Sequence, residues 1–184
     1  MNSKGFTLIE LLVVVAIIGV LAAVVLAALN ESRLKGADAL IKSNLANVRS
    51  QAELIYASSG CYGDGDLGDA TCAQYDSTNV VNQCPETIGN LPRIDNSLFD
   101  NPIILEQIKT AWNNSGGSAL CYSSGQSWAV AIRLRSFDGN TAPKPDTWCM
   151  DSTGVSKAYA WAAGESNGGA LTPVYPALGP YYCK

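Results

Sequence analysis

Glu10 is the only charged residue in an otherwise almost entirely apolar run of 24 residues, 6–29. An apolar run of about 20 residues is long enough to cross a bilayer as a helix. An ionisable side chain inside such a helix is costly, and it marks a functional position by default. The sequence therefore predicts that Glu10 is a buried acid that needs a partner.

The cysteines carry a second kind of chemistry, that of disulfides. Their number is even and no Cys-x-x-Cys pair occurs, which disfavours zinc binding and thiol redox catalysis and indicates an oxidising compartment. Six cysteines allow 15 connectivities. They are Cys61, Cys72, Cys84, Cys121, Cys149 and Cys183.

The composition excludes several functions. The chain has no histidine, so Ser-His-Asp and Cys-His catalysis are impossible within it. No other catalytic constellation stands out, so we do not expect an enzyme. A formal net charge of −4 disfavours a nucleic-acid partner. A length of 184 residues predicts about one domain.

Residues 63–69 form the most acidic stretch, with carboxylates at Asp64, Asp66 and Asp69. Three carboxylates could surround a calcium ion, but their spacing does not meet the EF-hand pattern. A solvated acidic loop is the favoured interpretation. No cofactor is therefore predicted, and calcium is the alternative.

A long helix has to position Glu10. Beyond the apolar run, apolar residues recur at steps of three and four, which is typical of an amphipathic helix. This stripe is Leu34, Ala37, Ile41, Leu45, Val48, Ala52 and Ile55. The other face carries polar residues such as Asp38 and Arg49. We expect the helix to end near Ser58, at Ser59-Gly60, and a head domain to cover the stripe.

The head is predicted to contain a second helix over residues 102–113, with Asn101 as its N-cap and Pro102 at its first position. Its buried stripe is predicted as Ile104 and Ile108 with Ala111 or Trp112. Three antiparallel strands are predicted, at residues 119–123, 127–134 and 147–150, and residues 155–159 are expected to extend the third after a turn at 151–154. The alternation in residues 127–134, with Trp128, Val130, Ile132 and Leu134 on one side, indicates a half-buried antiparallel strand.

The N-terminus has two ordinary interpretations, a secretory signal peptide and a plain membrane anchor. The apolar run is longer than a signal core, and the helical pattern continues beyond it. A plain anchor explains the length but not Glu10. The segments GFTLIE at residues 5–10 and LLVVVAIIG at residues 11–19 instead resemble the N-terminal signature of type IV pilins and pseudopilins.

This resemblance implies an α+β pilin-like fold, in which a long N-terminal helix packs on a small antiparallel sheet. It implies a leader peptide at residues 1–5, a membrane and filament-core helix at 6–29, and an amphipathic helix with a disulfide-bonded head at 30–184. A prepilin peptidase would cut between Gly5 and Phe6, and Phe6 would become N-methylated.

In such a subunit, Glu10 would pair with the Phe6 ammonium of a neighbouring copy during assembly. The implied partners are further copies in a helical filament, the processing peptidase and methyltransferase, an inner-membrane assembly platform, and membrane lipid before assembly. The chain would cross the inner membrane once with its head outside the cytoplasm. It would then join an extracellular pilus or a periplasmic pseudopilus.

Three disulfides are predicted from the expected elements. Cys121–Cys149 would join neighbouring strands, Cys72–Cys84 would close a local loop, and Cys61–Cys183 would attach the tail to the end of the long helix. Two alternative functions remain at this point, a pseudopilin of a type II secretion-like system and a monomeric membrane-anchored module that binds sugar or DNA.

Overall fold

The computed structural model describes residues 5, 7–63, 84, 97–115, 117–123, 125–136, 146–159, 174–175 and 182–183. The chain divides into two compact units, residues 1–36 and 37–184. Helix α1 (Leu8–Ser59) begins in the first unit and ends in the second.

The amphipathic part of α1 buries the centre of the predicted stripe, while Leu34 and Ala37 at its start are half-buried. Its fully buried side chains follow steps of three and four, as a helix with one covered face requires. They are Ile41, Leu45, Val48 and Ala52, while Ile55 is half-buried against them. Gly60 ends the helix with a φ of +75°, a conformation that favours glycine, and its N–H donates to the carbonyl of Tyr56 at 2.7 Å. The predicted end is confirmed to within one residue.

A short 3₁₀ turn at Leu98–Asp100 leads into helix α2 (Pro102–Asn113). The Asn101 side chain accepts hydrogen bonds from the N–H groups of Ile103 and Ile104, at 3.0 and 3.4 Å. The predicted N-cap and both helix ends are therefore confirmed. Ile104, Ile108 and Ala111 are its buried residues.

Four strands form an antiparallel sheet in the order β1-β2-β3-β4. They are β1 (Ala119–Ser123), β2 (Trp128–Arg133), β3 (Thr147–Asp151) and β4 (Ser156–Tyr159). The first three lie within one residue of the predicted ends, whereas residues 156–159 form a fourth strand of their own instead of extending the third. Two further strands, β5 (Val174–Tyr175) and β6 (Tyr182–Cys183), pair with each other.

Both faces of the sheet are covered, which the half-buried prediction for β2 missed. One face packs with the buried stripes of α1 and α2, through side chains that include Trp128, Val130 and Ile132. On the other face, Ala129 and Ala131 are also fully buried, in a cluster with Tyr122, Cys149 and Cys183. Strand β6 packs against β2 and β3, so a segment from the far end of the chain covers this face.

The disulfide pairings differ from the predicted ones. Cys84 is bonded to Cys121, and Cys149 is bonded to Cys183. Each predicted pair contains a cysteine that is bonded elsewhere, so the pairs Cys121–Cys149, Cys72–Cys84 and Cys61–Cys183 are wrong. Cys61 is disulfide-bonded as well, and none of the cysteines in the described ranges is free.

The sheet register explains why the strand-to-strand pair fails. Cys121 on β1 lies opposite Val130 of β2, whereas Cys149 on β3 lies opposite Ala131. Val130 and Ala131 are consecutive, and consecutive side chains of a strand point to opposite faces. The two cysteines therefore lie on different faces of the sheet, on strands that β2 separates.

Two polar side chains of α1, the buried Asp38 and the half-buried Arg49, make hydrogen bonds to the sheet region. The Asp38 carboxylate accepts hydrogen bonds from the N–H groups of Arg135, at 2.7 Å, and Ser136, at 3.3 Å. The Arg49 guanidinium donates to the carbonyls of Asp151 and Val155. Asp38 and Arg49 were expected on the exposed face, and these distant partners explain why Asp38 is buried and Arg49 is half-buried. Together the elements form an α+β, pilin-like fold.

Candidate functional site

The candidate site lies where α1 begins. Gly5 and Thr7 are exposed and outside the helix, which starts at Leu8. A Cβ added at Gly5 would meet no atom within 4 Å. Packing within the described part of the chain therefore does not require glycine there. Phe6 lies outside the described residues.

Thr7 and Glu10 form a reciprocal capping arrangement at the first turn of α1. The backbone N–H and the hydroxyl of Thr7 both donate to Oε2 of Glu10, each at 2.8 Å. The backbone N–H of Glu10 donates in return to Oγ1 of Thr7 at 3.3 Å. This is the Thr-x-x-Glu capping box, which satisfies helix donors that have no partner within the helix.

Apart from Glu10, residues 8–29 of α1 present only apolar or small side chains. Every residue from 8 to 29 is exposed. Among the described residues, α1 is the one helix long and apolar enough to cross a membrane, judged by length and composition. The Glu10 carboxylate therefore lies near one end of an uncovered apolar helix.

The predicted calcium ligands and the cysteines do not form a second candidate site within the described residues. Asp64, Asp66 and Asp69, the calcium candidates, and Cys72 lie outside the described residues. Within the described ranges, no three His, Cys, Asp or Glu residues come together in a way that could hold a metal ion. The described cysteines serve as cross-links of the head.

Thr7 is the site residue that the sequence analysis passed over as a partner of Glu10. The spacing Thr7-x-x-Glu10 ahead of an apolar run is itself a signature of a helix N-terminus, and it would have located the contact.

The long apolar helix, the small antiparallel sheet and the capped Glu10 are consistent with a pilin-like protein. Residues 1–26 match the family model described as the prokaryotic N-terminal methylation motif. No curated protein and no solved structure matches the chain. The chain therefore carries a prepilin motif of the type IV pilin and pseudopilin type. This motif and the long apolar helix fit a pilin anchored in the inner membrane.

Proposed function

We propose that this chain is a structural subunit that a prepilin peptidase cuts between Gly5 and Phe6, and that then polymerises through its N-terminal helix into a type IV pilus or a pseudopilus. The motif at residues 1–26 supports processing and filament assembly in general. The cleavage point, the N-methylated Phe6 and the assembly contact are the finer parts of the proposal.

The observation that carries the proposal is the Glu10 carboxylate at the start of an uncovered apolar helix. Each side chain from 8 to 29 is exposed, so the helix has to be covered by lipid or by other helices. Small residues such as Gly19 allow membrane helices to approach closely. A Cβ added at Gly19 would meet nothing within 4 Å, so packing within the described part of the chain does not account for this glycine.

Cleavage would create the cation that Glu10 needs. Removing residues 1–5 leaves an ammonium on Phe6, and methylation keeps its charge. Leaving a buried charge without a partner is several kcal/mol less favourable than pairing it. Pairing Glu10 with the Phe6 ammonium of a neighbouring copy would therefore fix the axial register of the subunits.

The remaining expectations follow from this role. Before assembly, lipid covers the helix in the inner membrane while the head stands outside the cytoplasm, and an assembly platform in that membrane adds subunits to the filament. The subunit acts structurally, without catalysis or a nucleic-acid partner. Calcium binding by Asp64, Asp66 and Asp69 stays a prediction, with the solvated loop favoured.

Intact-mass measurement and N-terminal sequencing of the native protein test the proposal. The expected mature chain starts at Phe6 and carries one added methyl group. A chain that still starts at Met1, or that is cut near residue 30, would contradict it. Finding the same mature chain by mass spectrometry in long shed filaments would assign it to a surface pilus rather than to a periplasmic pseudopilus.

A further inference from the structure

A cavity of about 280 Å³ lies in the head, where α1 ends and α2 begins. Its walls come from the last turns of α1, from the 3₁₀ turn at Leu98–Asp100 and from the first residues of α2. Its volume is just below that of pockets for drug-sized ligands, which is roughly 300–1,000 Å³. The cavity therefore has room for one small ligand.

Ser97 lines this cavity and carries a hydroxyl that the fold does not use. The residue is only 3% exposed. It stands at the N-cap position of the 3₁₀ turn, but its side chain makes no capping hydrogen bond. Within the described part of the chain, its hydroxyl has no hydrogen-bond partner. A buried hydroxyl without a partner inside the protein is satisfied by water or by a ligand, so Ser97 indicates a polar occupant of the cavity.

Asn101 presents an amide to the same cavity in a fixed orientation. Its Oδ1 accepts both capping hydrogen bonds of α2, from the N–H groups of Ile103 and Ile104. Its Nδ2 carries two N–H donors and has no acceptor among the described residues. The cap therefore holds these donors in place, and a ligand can bind them without first ordering the side chain.

The unused groups of the cavity suit a ligand whose own groups both donate and accept. The Ser58 hydroxyl donates to the carbonyl of Ile55 at 2.9 Å, which leaves its oxygen able to accept. The Asn101 amide supplies donors, and the Ser97 hydroxyl supplies a donor and an acceptor. Leu98 adds an apolar wall. Sugars combine hydroxyls of this dual character with apolar C–H faces.

Charge and backbone pairing disfavour other ligand classes. Asp100 is the only charged side chain among the described residues that line the cavity, and a carboxylate repels anions. An extended peptide is recognised by unpaired backbone groups along a sheet edge. Gly63 and Ser97 instead pair with each other as an antiparallel bridge. The cavity therefore favours a neutral sugar over an anion or a peptide.

We propose that this cavity is a binding site for one neutral sugar unit, which the Ser97 hydroxyl and the Asn101 amide hold by hydrogen bonds. This activity goes beyond the proposed filament function and does not depend on it. In a filament the site is repeated with every subunit, and multivalency then strengthens weak single contacts.

Saturation-transfer NMR of the full chain in dodecylphosphocholine, a detergent without a sugar headgroup, tests this proposal. The neutral probes are glucose, galactose, mannose and N-acetylglucosamine, the anionic probe is glucose 6-phosphate, and the peptide probe is capped triglycine. At least one neutral sugar should bind saturably with a dissociation constant of about 1–10 mM, as expected for a small ligand with few contacts. It should bind more tightly than the phosphate ester and the peptide.

Two variants separate sugar binding from capping and folding. Ser97→Ala removes a hydroxyl that has no hydrogen bond within the described part of the chain, so its head should unfold as the parent does. Asn101→Asp keeps the capping oxygen, in a residue that caps as well as asparagine, and removes Nδ2. Each should raise the dissociation constant about three- to tenfold, the effect of one lost hydrogen bond. The matched controls Ser43→Ala and Asn47→Asp, at exposed positions of α1, should bind like the parent.

A lack of saturable binding by all four neutral sugars would overturn the proposal. Sugar binding that neither Ser97→Ala nor Asn101→Asp weakens would also overturn it, because the sugar would then lie elsewhere. Tighter binding of the peptide or of the phosphate ester, weakened by the same two variants, would assign the cavity to that class instead. None of these outcomes bears on filament assembly, which Glu10→Ala tests separately.

Discussion

Residues 8–29 and residues 37–55 belong to the same helix, α1, yet their apolar side chains differ in whether the chain itself covers them. All side chains from 8 to 29 are exposed, whereas Ile41, Leu45, Val48 and Ala52 are fully buried. The first segment is apolar all round and the second has one apolar stripe. The single stripe thus marks a surface that the chain itself covers. The all-round pattern marks a surface left for lipid or other helices.

The acidic residues of the two segments differ in the same way. Glu10 has its partner, Thr7, in the same helical turn. Asp38 instead accepts from Arg135 and Ser136, which lie about a hundred positions away along the chain. The carboxylate in the first segment is thus bonded within its own helical turn, while that in the head is bonded by distant parts of the fold.

The largest expected effect on stability comes from a leucine-to-alanine substitution, which is made once in each segment for comparison. Leu45→Ala removes a fully buried side chain and should lower the free energy of unfolding of the head by about 2–5 kcal/mol. Leu21→Ala, at a position that is 60% exposed, should leave it unchanged. All four tryptophans lie between residues 112 and 161, so tryptophan fluorescence of the full chain in detergent reports on the head alone. Equal losses in both variants would contradict the division of α1.

A smaller effect is expected at Asp151, a buried acid on β3. Its Oδ1 accepts from the N–H and hydroxyl of Thr153 and from the N–H of Val155, and its Oδ2 accepts from the N–H of Cys183 at 2.7 Å. Asp151→Asn keeps a single acceptor oxygen and should cost about 1–3 kcal/mol. Denaturant unfolding followed by fluorescence measures it.

The control for Asp151 is Glu106→Gln, which removes the charge of an exposed carboxylate on α2 and should change stability by less than about 0.5 kcal/mol. If both variants behaved alike, the buried hydrogen bonds of Asp151 would not contribute to the head's stability.

The smallest effect is a pH dependence at Tyr62, a buried residue of the head. Its burial, its 3.0 Å hydrogen bond to Oε1 of Glu53, and the charge of that carboxylate raise its pKa from 10.0 to about 12, with a smaller contribution from Tyr56. The neutral phenol is thus favoured in the folded state. Its contribution to stability is complete below about pH 10 and is lost as the pH rises through about 12.

The measurement is the free energy of unfolding of the parent and of Tyr62→Phe between pH 9 and pH 12. The parent should lose more stability than Tyr62→Phe over the upper part of this range, because only the parent has this phenol to ionise. Parallel curves for the two proteins would show that Tyr62 ionises no later than an exposed tyrosine.

The sequence predicted the elements whose signals are local. Asn101-Pro102 fixed the start of α2, and the alternation of residues 127–134 fixed β2, because capping and strand periodicity act within a few residues. The Thr7–Glu10 contact was equally readable from its spacing.

The disulfide pairing and the burial of the second sheet face could not be predicted, because they depend on strand register and on residues far apart in the sequence. Whether Cys121 and Cys149 share a face is decided by which residues of β2 they oppose, and composition does not encode that. The burial of Ala129 and Ala131 depends on β6, which comes from the end of the chain. Long-range contacts of this kind follow only from the assembled sheet.

Filament yield, divided by the amount of mature subunit in the membrane, tests the central claim most directly. It compares the parent with Glu10→Ala and with Glu106→Ala, a matched substitution of an exposed glutamate on α2. Glu10→Ala should insert normally, because removing a charge eases insertion by roughly 2.5–3.5 kcal/mol. Its head should unfold as the parent does, yet it should form few or no filaments, while Glu106→Ala assembles like the parent. Normal filaments from Glu10→Ala would contradict the account, because Glu10 would then not be the contact through which subunits assemble.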